Sequence, residues 1–259
     1  MAKFNYSSYG AFKNSLATHR HLISMARRIG IKNRYLRFMS KARRDMPVIE
    51  IGCGDGAFIK DLLNAGFHDV QGVEPSDTYD TVVDPGLVHR DFAESFLQKL
   101  PGSSLGTIVA WDVFEHIPQA ELHKLFSLMS SRLAQGGVLI FRVPNMASPL
   151  ALVNYFGDLS HTTALNEISV RQISFETGLA VESMRPEPFA YPKSVSTLMG
   201  ILLWPFFRIF YGVALAAFGI RNRVLTPNLV CILRKSMQTD ASSDLTLPSA
   251  SHESTMASA

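Results

Sequence analysis

The chain has 259 residues with 47% apolar content, which is enough to bury one substantial α/β core with additions. Its two cysteines, Cys53 and Cys231, offer neither a disulfide framework nor a cysteine zinc site, and no apolar N-terminal stretch resembles a signal peptide, so we expect a cytoplasmic chain. The net charge of +3 hides an asymmetry, since 11 of the 25 Lys and Arg residues lie within residues 1–45 beside a single acid, Asp45.

This basic arm indicates an anionic neighbour such as a membrane surface, a phosphorylated acceptor or nucleic acid, or else a helical face that docks on the acidic remainder. Its apolar residues recur at helical spacing, and Pro47 ends that pattern. We predict a basic helical cap over residues 1–45 and a main domain over residues 46–235. Residues 236–259 are rich in Ser, Thr and Ala, which predicts a disordered tail.

The most informative stretch is residues 48–56, an apolar run with an acid, Glu50, followed by Gly52, Gly54 and Gly56. It predicts a buried strand, a tight loop and the start of a helix. Alternating glycines permit positive φ and let a ligand approach the backbone closely. The glycines alone also fit a dinucleotide fold, but Glu50 would repel a pyrophosphate and attract an ammonium or sulfonium group.

Two further strands each end in an acid. Val70 to Val73 reads as a strand that ends at Glu74, where a carboxylate would bind a ribose diol of either nucleoside cofactor. A short apolar run then precedes Asp91 and Phe92, and Asp91 is also a suitable N-cap for a helix over residues 93–100.

The next elements continue the alternation of strands and helices. Residues 107–111 form a predicted strand, residues 119–133 a helix that stops at Gly136-Gly137, and residues 138–143 a fifth strand. This order is typical of a doubly wound parallel sheet with helices on both faces.

The E-x-G-x-G-x-G run from Glu50 and the E-H-x-P run from Glu115 resemble class I S-adenosylmethionine-dependent methyltransferases, in their small-molecule and ubiquinone branch. The resemblance implies a Rossmann-like seven-stranded sheet whose last strand is antiparallel, and S-adenosylmethionine as cofactor. The cap would lie N-terminal to this sheet and the apolar insertion described below between its last two strands.

The family also implies roles for individual residues. The acid of the first strand faces the methionine amino group, the glycines pass the nucleoside, and the acid of the second strand binds the ribose. The acid after the third strand accepts from the adenine amino group, its successor adds a backbone N–H and apolar contact, and the end of the fourth strand lines the methionine. The predicted cofactor residues are therefore Glu50, Gly52, Gly54, Gly56, Glu74, Asp91, Phe92, Trp111 and Asp112.

From Asn145 onward the sequence resembles a narrower group, the methyltransferases of polysaccharide and lipopolysaccharide gene clusters. There a V-P-N run leads to a loop with an aromatic residue, an Asp and a His, which stand here as Tyr155, Asp158 and His161. This resemblance implies that the acceptor is a hydroxyl of a saccharide or a lipid-linked intermediate.

A hydroxyl acceptor needs a base, and a histidine near neutrality is suited to that role. The candidates are His161, which Asp158 would orient, and His116, which follows the fourth strand. The bland alternatives are that Asp158 and His161 only fix their loop and that the E-H-x-P run only shapes a turn. No cluster has metal-ligand spacing along the chain, so no metal is predicted.

Residues 195–220 form an apolar insertion with one charged residue and interruptions at Pro205 and Gly212. The length would permit a membrane span, but both flanking strands belong to one sheet and must lie on one side of the membrane. We therefore expect an interfacial or re-entrant hairpin, with Trp204 and Tyr211 at headgroup depth. The alternatives are an apolar lid over the acceptor cleft and a dimer interface.

Three other functions stay open. A quinone or polyprenyl-phenol O-methyltransferase would use the insertion to reach a membrane substrate, and a non-catalytic cofactor-binding module would keep the fold alone. Retention of Glu50, Glu74 and Asp91 disfavours that module. A nucleic acid partner is not expected, because the loop after the fourth strand lacks the N-P-P-Y type motif of amino-group methylation. The predicted enzyme acts in the cytoplasm, with peripheral contact at the inner face of the membrane.

Overall fold

The computed structural model describes residues 35–77, 80–188, 194–220 and 224–236. The predicted helical cap therefore lies outside the described residues, except for a segment that contains a 3-10 helix, Arg37–Lys41, with Phe38 and Met39 buried. The predicted disordered tail also lies outside them, apart from its first residue.

One seven-stranded sheet organises the described chain, in the order β3-β2-β1-β4-β5-β7-β6. Strand β7 is antiparallel to both β5 and β6, whereas the other neighbours are parallel. The predicted fold is confirmed. The strands are β1 (Val48–Ile51), β2 (Val70–Val73), β3 (Val88–His89), β4 (Leu105–Trp111), β5 (Leu133–Pro144), β6 (Leu179–Pro186) and β7 (Asn228–Lys235).

Helices alternate with these strands along the chain. Short 3-10 helices also occur at Pro85–Leu87, Phe114–His116 and Pro149–Ala151. The α-helices are α1 (Ala57–Asn64), α2 (Ala93–Lys99), α3 (Gln119–Arg132), α4 (Leu152–Phe156), α5 (Glu167–Glu176) and α6 (Val195–Ala217).

The predicted end of α3 at residue 133 lies one residue beyond the observed end, but the glycine pair is not what stops the helix. The helix ends at Arg132, and β5 begins at once because Leu133 pairs with Leu105 of β4. The register between these strands then shifts, and Gly136 lies in the irregular stretch with a φ of +73°. The glycines thus serve a strand irregularity, which needs a positive φ, and do not stop the helix.

The central strands β1 and β4 are buried on both faces, and their sequences are predominantly apolar, with Glu50 and Thr107 as buried polar residues. Alternate residues of each strand face opposite layers: Ile108 packs with the cluster around Phe126 and Phe141, and Val109 packs with the cluster around Phe67. Phe126 and Phe141 are fully buried, so truncation of either to Ala would cost about 3–5 kcal/mol. This core fixes the ends of the strands that carry the site.

The strand order reverses between β1 and β4. In open α/β sheets a ligand binds at such a switch point, outside the carboxyl ends of the strands. Strands β1, β2 and β4 end there at Ile51, Val73 and Trp111. The glycine loop, Glu74 and the segment from Asp112 therefore meet at one edge of the sheet.

The insertion between β6 and β7 is one continuous helix, α6, so the predicted hairpin is wrong. The helix runs through both Pro205 and Gly212, and the Oγ of Ser194 accepts a hydrogen bond from the Thr197 N–H at its start (3.2 Å). None of its 23 residues is buried. Among the described residues, it is the helix that is long and apolar enough to cross a membrane.

Candidate functional site

The glycine loop after β1 has the backbone that was predicted for it. Gly52, Gly54 and Gly56 have φ values of +70°, +55° and +78°. A Cβ at Gly52 would lie 2.5 Å from Cγ2 of Val113, so that position is closed on one side by the segment after β4. A Cβ at Gly54 would meet nothing within 4 Å, which leaves open space beside the backbone there. The loop can therefore bring its backbone against a ligand.

Glu50 lies on β1 behind this loop and is 3% exposed. Burial raises the pKa of its carboxyl group well above the usual range; the carboxylates of Asp55, Asp61 and Glu74 raise it further, and the Ile59 N–H opposes them. Its Oε2 atom is buried without a hydrogen-bond partner among the residues that the structure describes. The ammonium group of a bound S-adenosylmethionine would supply the missing donor and positive charge, so this residue fits the cofactor.

Glu74 follows β2 and is also buried. Its Oε2 accepts a hydrogen bond from the Gly54 N–H (3.0 Å), and its Oε1 accepts one from the Ser76 N–H (2.9 Å). Burial raises the pKa of Glu74, whereas these two bonds and the charge of Arg90 lower it. The carboxylate thus holds the glycine loop in place, and each oxygen retains a lone pair for a ribose hydroxyl.

Asp91 and Phe92 follow β3 at the outer strand of this half of the sheet. Asp91 accepts from the Phe92 N–H (2.8 Å) and pairs with Nζ of Lys99 (2.7 Å), and the Lys99 bond is the main cause that lowers the pKa of Asp91. Phe92, which has no capping side chain, is the N-cap of α2, so the alternative role of Asp91 as that cap is not observed. Phe92 is 55% exposed and available for apolar contact.

Trp111 and Asp112 end β4 beside the glycine loop. The Trp111 ring stacks on Tyr35 with centroids 4.6 Å apart and meets the edge of Phe58 at 5.4 Å. The Asp112 carboxylate forms two hydrogen bonds with Arg142, of which the Nε to Oδ1 bond is 2.7 Å. Asp112 also has a φ of +55°. The contact of these residues with the methionine end of the cofactor stays a prediction.

The structure brings Glu115, His116 and His161 together. The first two lie in the 3-10 helix that follows β4, and His161 lies in the loop after α4. One ligand atom from each of the three side chains lies within 4.8 Å of the others, and the two imidazole centroids are 4.7 Å apart. Spacing along the chain predicted no metal site, because this cluster forms only when the loop folds back over the end of β4.

A hydrogen-bond relay sets the tautomer of His116. The Oγ of Ser160 donates to Oδ1 of Asp158 (2.6 Å) and lies 2.8 Å from Nδ1 of His116. Because the Ser160 proton is used on Asp158, Ser160 accepts the proton of Nδ1. In its neutral form His116 therefore carries its lone pair on Nε2.

The tautomer of His161 is set by the backbone. Its Nδ1 lies 2.8 Å from the carbonyl oxygen of Tyr155, which can only accept a hydrogen bond. Nε2 of neutral His161 therefore also carries the lone pair. The Asp158 carboxylate thus reaches His116 through Ser160, and its predicted role in orienting His161 stays a prediction. Ser160 was missed in the sequence, because a lone serine in a loop gives no signal of its partner.

The loop that carries these groups is fixed to the end of β4. The backbone oxygen of Glu115 accepts from the N–H groups of Thr162 (2.7 Å) and Thr163 (3.0 Å), and Oγ1 of Thr163 donates to the oxygen of Ile117 (2.5 Å). Burial, and then the charge of Glu115, raises the pKa of Tyr155. The two halves of the cluster are therefore held in register by main-chain bonds.

Comparisons with known proteins agree with this geometry. The model of a family described as a methyltransferase domain matches residues 23–183, which is more than half of the chain. No curated protein matches closely enough to count as a relative.

Solved structures share the fold at low identity. A S-adenosylmethionine-dependent methyltransferase from Archaeoglobus fulgidus superposes with a TM-score of 0.60 at 19% identity, over 80% of this chain and 94% of that one. One from Thermotoga maritima gives 0.58 at 15% identity, over 89% and 99%. A Haloferax volcanii methyltransferase in complex with the Trm112 activator gives 0.59 at 12% identity, over 92% and 100%. The chain belongs to the methyltransferase domain family and is a class I S-adenosylmethionine-dependent methyltransferase.

Proposed function

We propose that the enzyme methylates a hydroxyl group of a saccharide or lipid-linked saccharide intermediate, at the inner face of a membrane. The observation that carries this proposal is the imidazole pair, His116 and His161, whose Nδ1 bonds place the lone pair of each neutral ring on Nε2. His116 follows β4, which pairs with the strand that carries Glu50, and the loop with His161 lies against it. Acceptor activation and cofactor binding thus share one edge of the sheet.

The reaction is a direct displacement. The bond from the methyl carbon to the sulfonium sulfur breaks, its electron pair stays on sulfur, and the acceptor oxygen forms a new bond to that carbon. Alignment of donor and acceptor contributes about 7–11 kcal/mol to such a step. The hydroxyl proton has to leave, and a positioned group that promotes its departure is worth about 10² to 10⁴ in rate. The imidazole pair is the place where this occurs.

The lipid-linked part of the proposal rests on α6. Its outward side chains include Leu202, Phe206, Phe210 and Val213, which are 57–75% exposed although they are strongly apolar. At 1.5 Å per residue the helix is about 34 Å long, and both of its ends return to neighbouring strands of one sheet. A helix of this kind supports contact along a membrane face, where each buried side chain gains about 1.5–3 kcal/mol.

The acceptor can be tested with labelled cofactor. Purified enzyme and S-adenosylmethionine with a labelled methyl group are mixed with cell extract, which is then separated into lipid-linked saccharides, free saccharides, lipid phenols, proteins and nucleic acids. We expect the label in a saccharide fraction. Label confined to lipid phenols would refute the saccharide acceptor in favour of the quinone alternative, and label in none would refute the proposal.

Two matched variants sharpen the assignment of the site. His161→Gln should lower labelling by at least 100-fold without weakening the binding of S-adenosylhomocysteine. His123→Gln should change neither, because His123 is a half-exposed residue of α3 that pairs with Glu176. Equal losses in both variants would show that the imidazole pair has no special role.

Membrane contact can be tested by flotation with vesicles of anionic lipid. The double variant Phe206→Asp/Phe210→Asp should reduce the bound fraction at least tenfold, because two charges would have to enter the lipid. The control is Phe175→Asp on α5, where an apolar side chain is 88% exposed. If the double variant floats like the parent protein, α6 is not the contact.

A further inference from the structure

The geometry points to a divalent metal site, and we propose that Glu115, His116 and His161 bind one ion of the type that prefers imidazole ligands. The catalytic use of this ion rests on the function proposed above, whereas its binding does not. Ligand atoms of the three residues already lie within 4.8 Å of one another. In a tetrahedral site with bonds of about 2.1 Å, ligand atoms are about 3.4 Å apart. Small side-chain rotations would therefore close the cluster on an ion.

Both histidines have the outer partners that metal-binding histidines require. Such a residue donates its second ring N–H to a carboxylate, a backbone carbonyl or a similar acceptor, which fixes the ring and directs the other nitrogen to the metal. His161 donates to the Tyr155 carbonyl, and His116 donates to Ser160, which is itself bonded to Asp158. Each acceptor binds Nδ1 and leaves the lone pair on Nε2, and the two rings lie against each other.

Backbone hydrogen bonds also hold the three ligand residues in a fixed arrangement. Glu115 is 1% exposed, and its backbone oxygen holds the loop that carries His161 through Thr162 and Thr163. The ligands therefore come from two segments that main-chain bonds hold together. The site is preorganised, and ion binding would require little further ordering of the chain. A cluster of mobile surface residues would lack this property.

The donor set selects the kind of ion. Two imidazoles and one carboxylate suit Zn²⁺, Co²⁺, Fe²⁺ or Mn²⁺, whereas Ca²⁺ and Mg²⁺ prefer a shell of oxygen atoms. Three protein ligands leave a coordination position for another group, as in catalytic metal sites. A hydroxyl of the acceptor saccharide fits that position.

An ion in this position would activate the acceptor. Binding to a divalent cation lowers the pKa of a hydroxyl, so its proton passes to solvent water and the oxygen becomes the nucleophile that attacks the methyl carbon. The sulfonium then leaves as the neutral thioether, and the charges balance. With both Nε2 lone pairs bound to the ion, neither histidine would accept the proton. Activation by the ion and activation by a histidine base are therefore alternatives.

Metal binding is tested on the untagged full-length protein after treatment with a chelator and dialysis. Co²⁺ is titrated and followed by its visible absorption, and Zn²⁺ is titrated by calorimetry. We expect one ion per chain with a dissociation constant in the micromolar range or tighter. His161→Gln and Glu115→Gln should each weaken binding at least 100-fold, and Ser160→Ala about 10- to 100-fold. His123→Gln is the control for surface binding and should behave like the parent protein.

The folded state of every variant is checked by its affinity for S-adenosylhomocysteine, which should stay within twofold of the parent. Absence of Co²⁺ and Zn²⁺ binding, or equal binding by the parent and His161→Gln, would overturn the metal site. If labelled methyl groups still reach a saccharide in the presence of excess chelator, the proposed function stands and the metal role fails. If the ion binds but no acceptor is labelled, the metal site stands and the proposed function fails.

Discussion

Replacement of Glu50 by Gln tests the origin of cofactor selectivity. The carboxylate has a buried oxygen without a hydrogen-bond partner among the described residues, and its surroundings are acidic. A hydrogen bond between a carboxylate and an ammonium group contributes about 1.5–3 kcal/mol. Since 1.4 kcal/mol corresponds to a factor of ten, we expect Glu50→Gln to bind S-adenosylhomocysteine about 10- to 150-fold more weakly than the parent protein.

The same variant should have the opposite effect on the ligand-free protein. Burial raises the pKa of Glu50 above its value in the unfolded chain, so its favourable contribution is complete below the unfolded pKa and is lost as pH rises through the folded pKa. Gln does not titrate and avoids this loss. Each unit of difference in pKa corresponds to about 1.4 kcal/mol, or about 3–6 °C in Tm for a domain of this size.

Two measurements test these predictions for Glu50→Gln. Calorimetry gives the affinity for S-adenosylhomocysteine, and thermal unfolding between about pH 5 and pH 9 gives the stability without ligand. The matched control is Glu121→Gln, which neutralises an exposed acid on α3. If Glu50→Gln keeps the parental affinity, Glu50 does not act as the counter-charge. If its Tm falls with pH as steeply as that of the parent, burial does not raise the pKa of Glu50.

Two other substitutions probe the loop itself, again by calorimetry with S-adenosylhomocysteine. Gly52→Ala should weaken binding at least tenfold, because its φ is positive and its Cβ would collide with Val113. The control is Gly136→Ala, where φ is also positive but a Cβ would meet open space. It should cost about 1 kcal/mol of stability without loss of affinity. Glu74→Ala should weaken binding by about 10- to 100-fold, since it removes both the acceptor of the Gly54 N–H and the predicted ribose ligand. Parental affinity in Glu74→Ala would show that the nucleoside lies elsewhere.

The backbone of the predicted cofactor site could be foreseen because its signals are local. The strand, the acid and the glycines occupy nine consecutive residues, and a buried parallel strand has an apolar sequence whatever its neighbours are. Glu74 could be placed because a strand end at the switch point determines where its side chain lies. In each case the sequence specified the backbone, and the backbone then fixed the position of the residue.

The arrangement around His116 and His161 was only partly predictable, since the residues that contact each other there are far apart in the sequence. Both histidines were identified, but the link from Asp158 to His116 passes through Ser160, which no spacing could reveal. The hairpin predicted within residues 195–220 is wrong for a different reason. A proline removes one hydrogen bond, and the helix-forming apolar residues on either side continue the helix past it.

The segment after α6, residues 224–226, is hydrogen-bonded to the chain just after β5, which leads to α4 and the loop with His161. Buried Asn145 at the end of β5 donates through Nδ2 to the oxygens of Val224 (2.9 Å) and Thr226 (3.2 Å), and Oγ of Ser148 donates to that of Leu225 (2.8 Å). This explains why the V-P-N run ends in an asparagine, whose side-chain N–H₂ can donate to two carbonyls at once.

The same segment also reaches α5, because the Val224 N–H donates to the carboxylate of Glu167 (2.8 Å). The segment therefore joins both elements that flank the loop with His161, the end of β5 before it and α5 after it. Three residues separate the last described residue after α6, Ile220, from Val224, so the end of α6 lies within about 15 Å of these hydrogen bonds. Contact of α6 with a membrane, as proposed above, would accordingly keep the loop with His161 near the lipid surface, where a lipid-linked acceptor would be found.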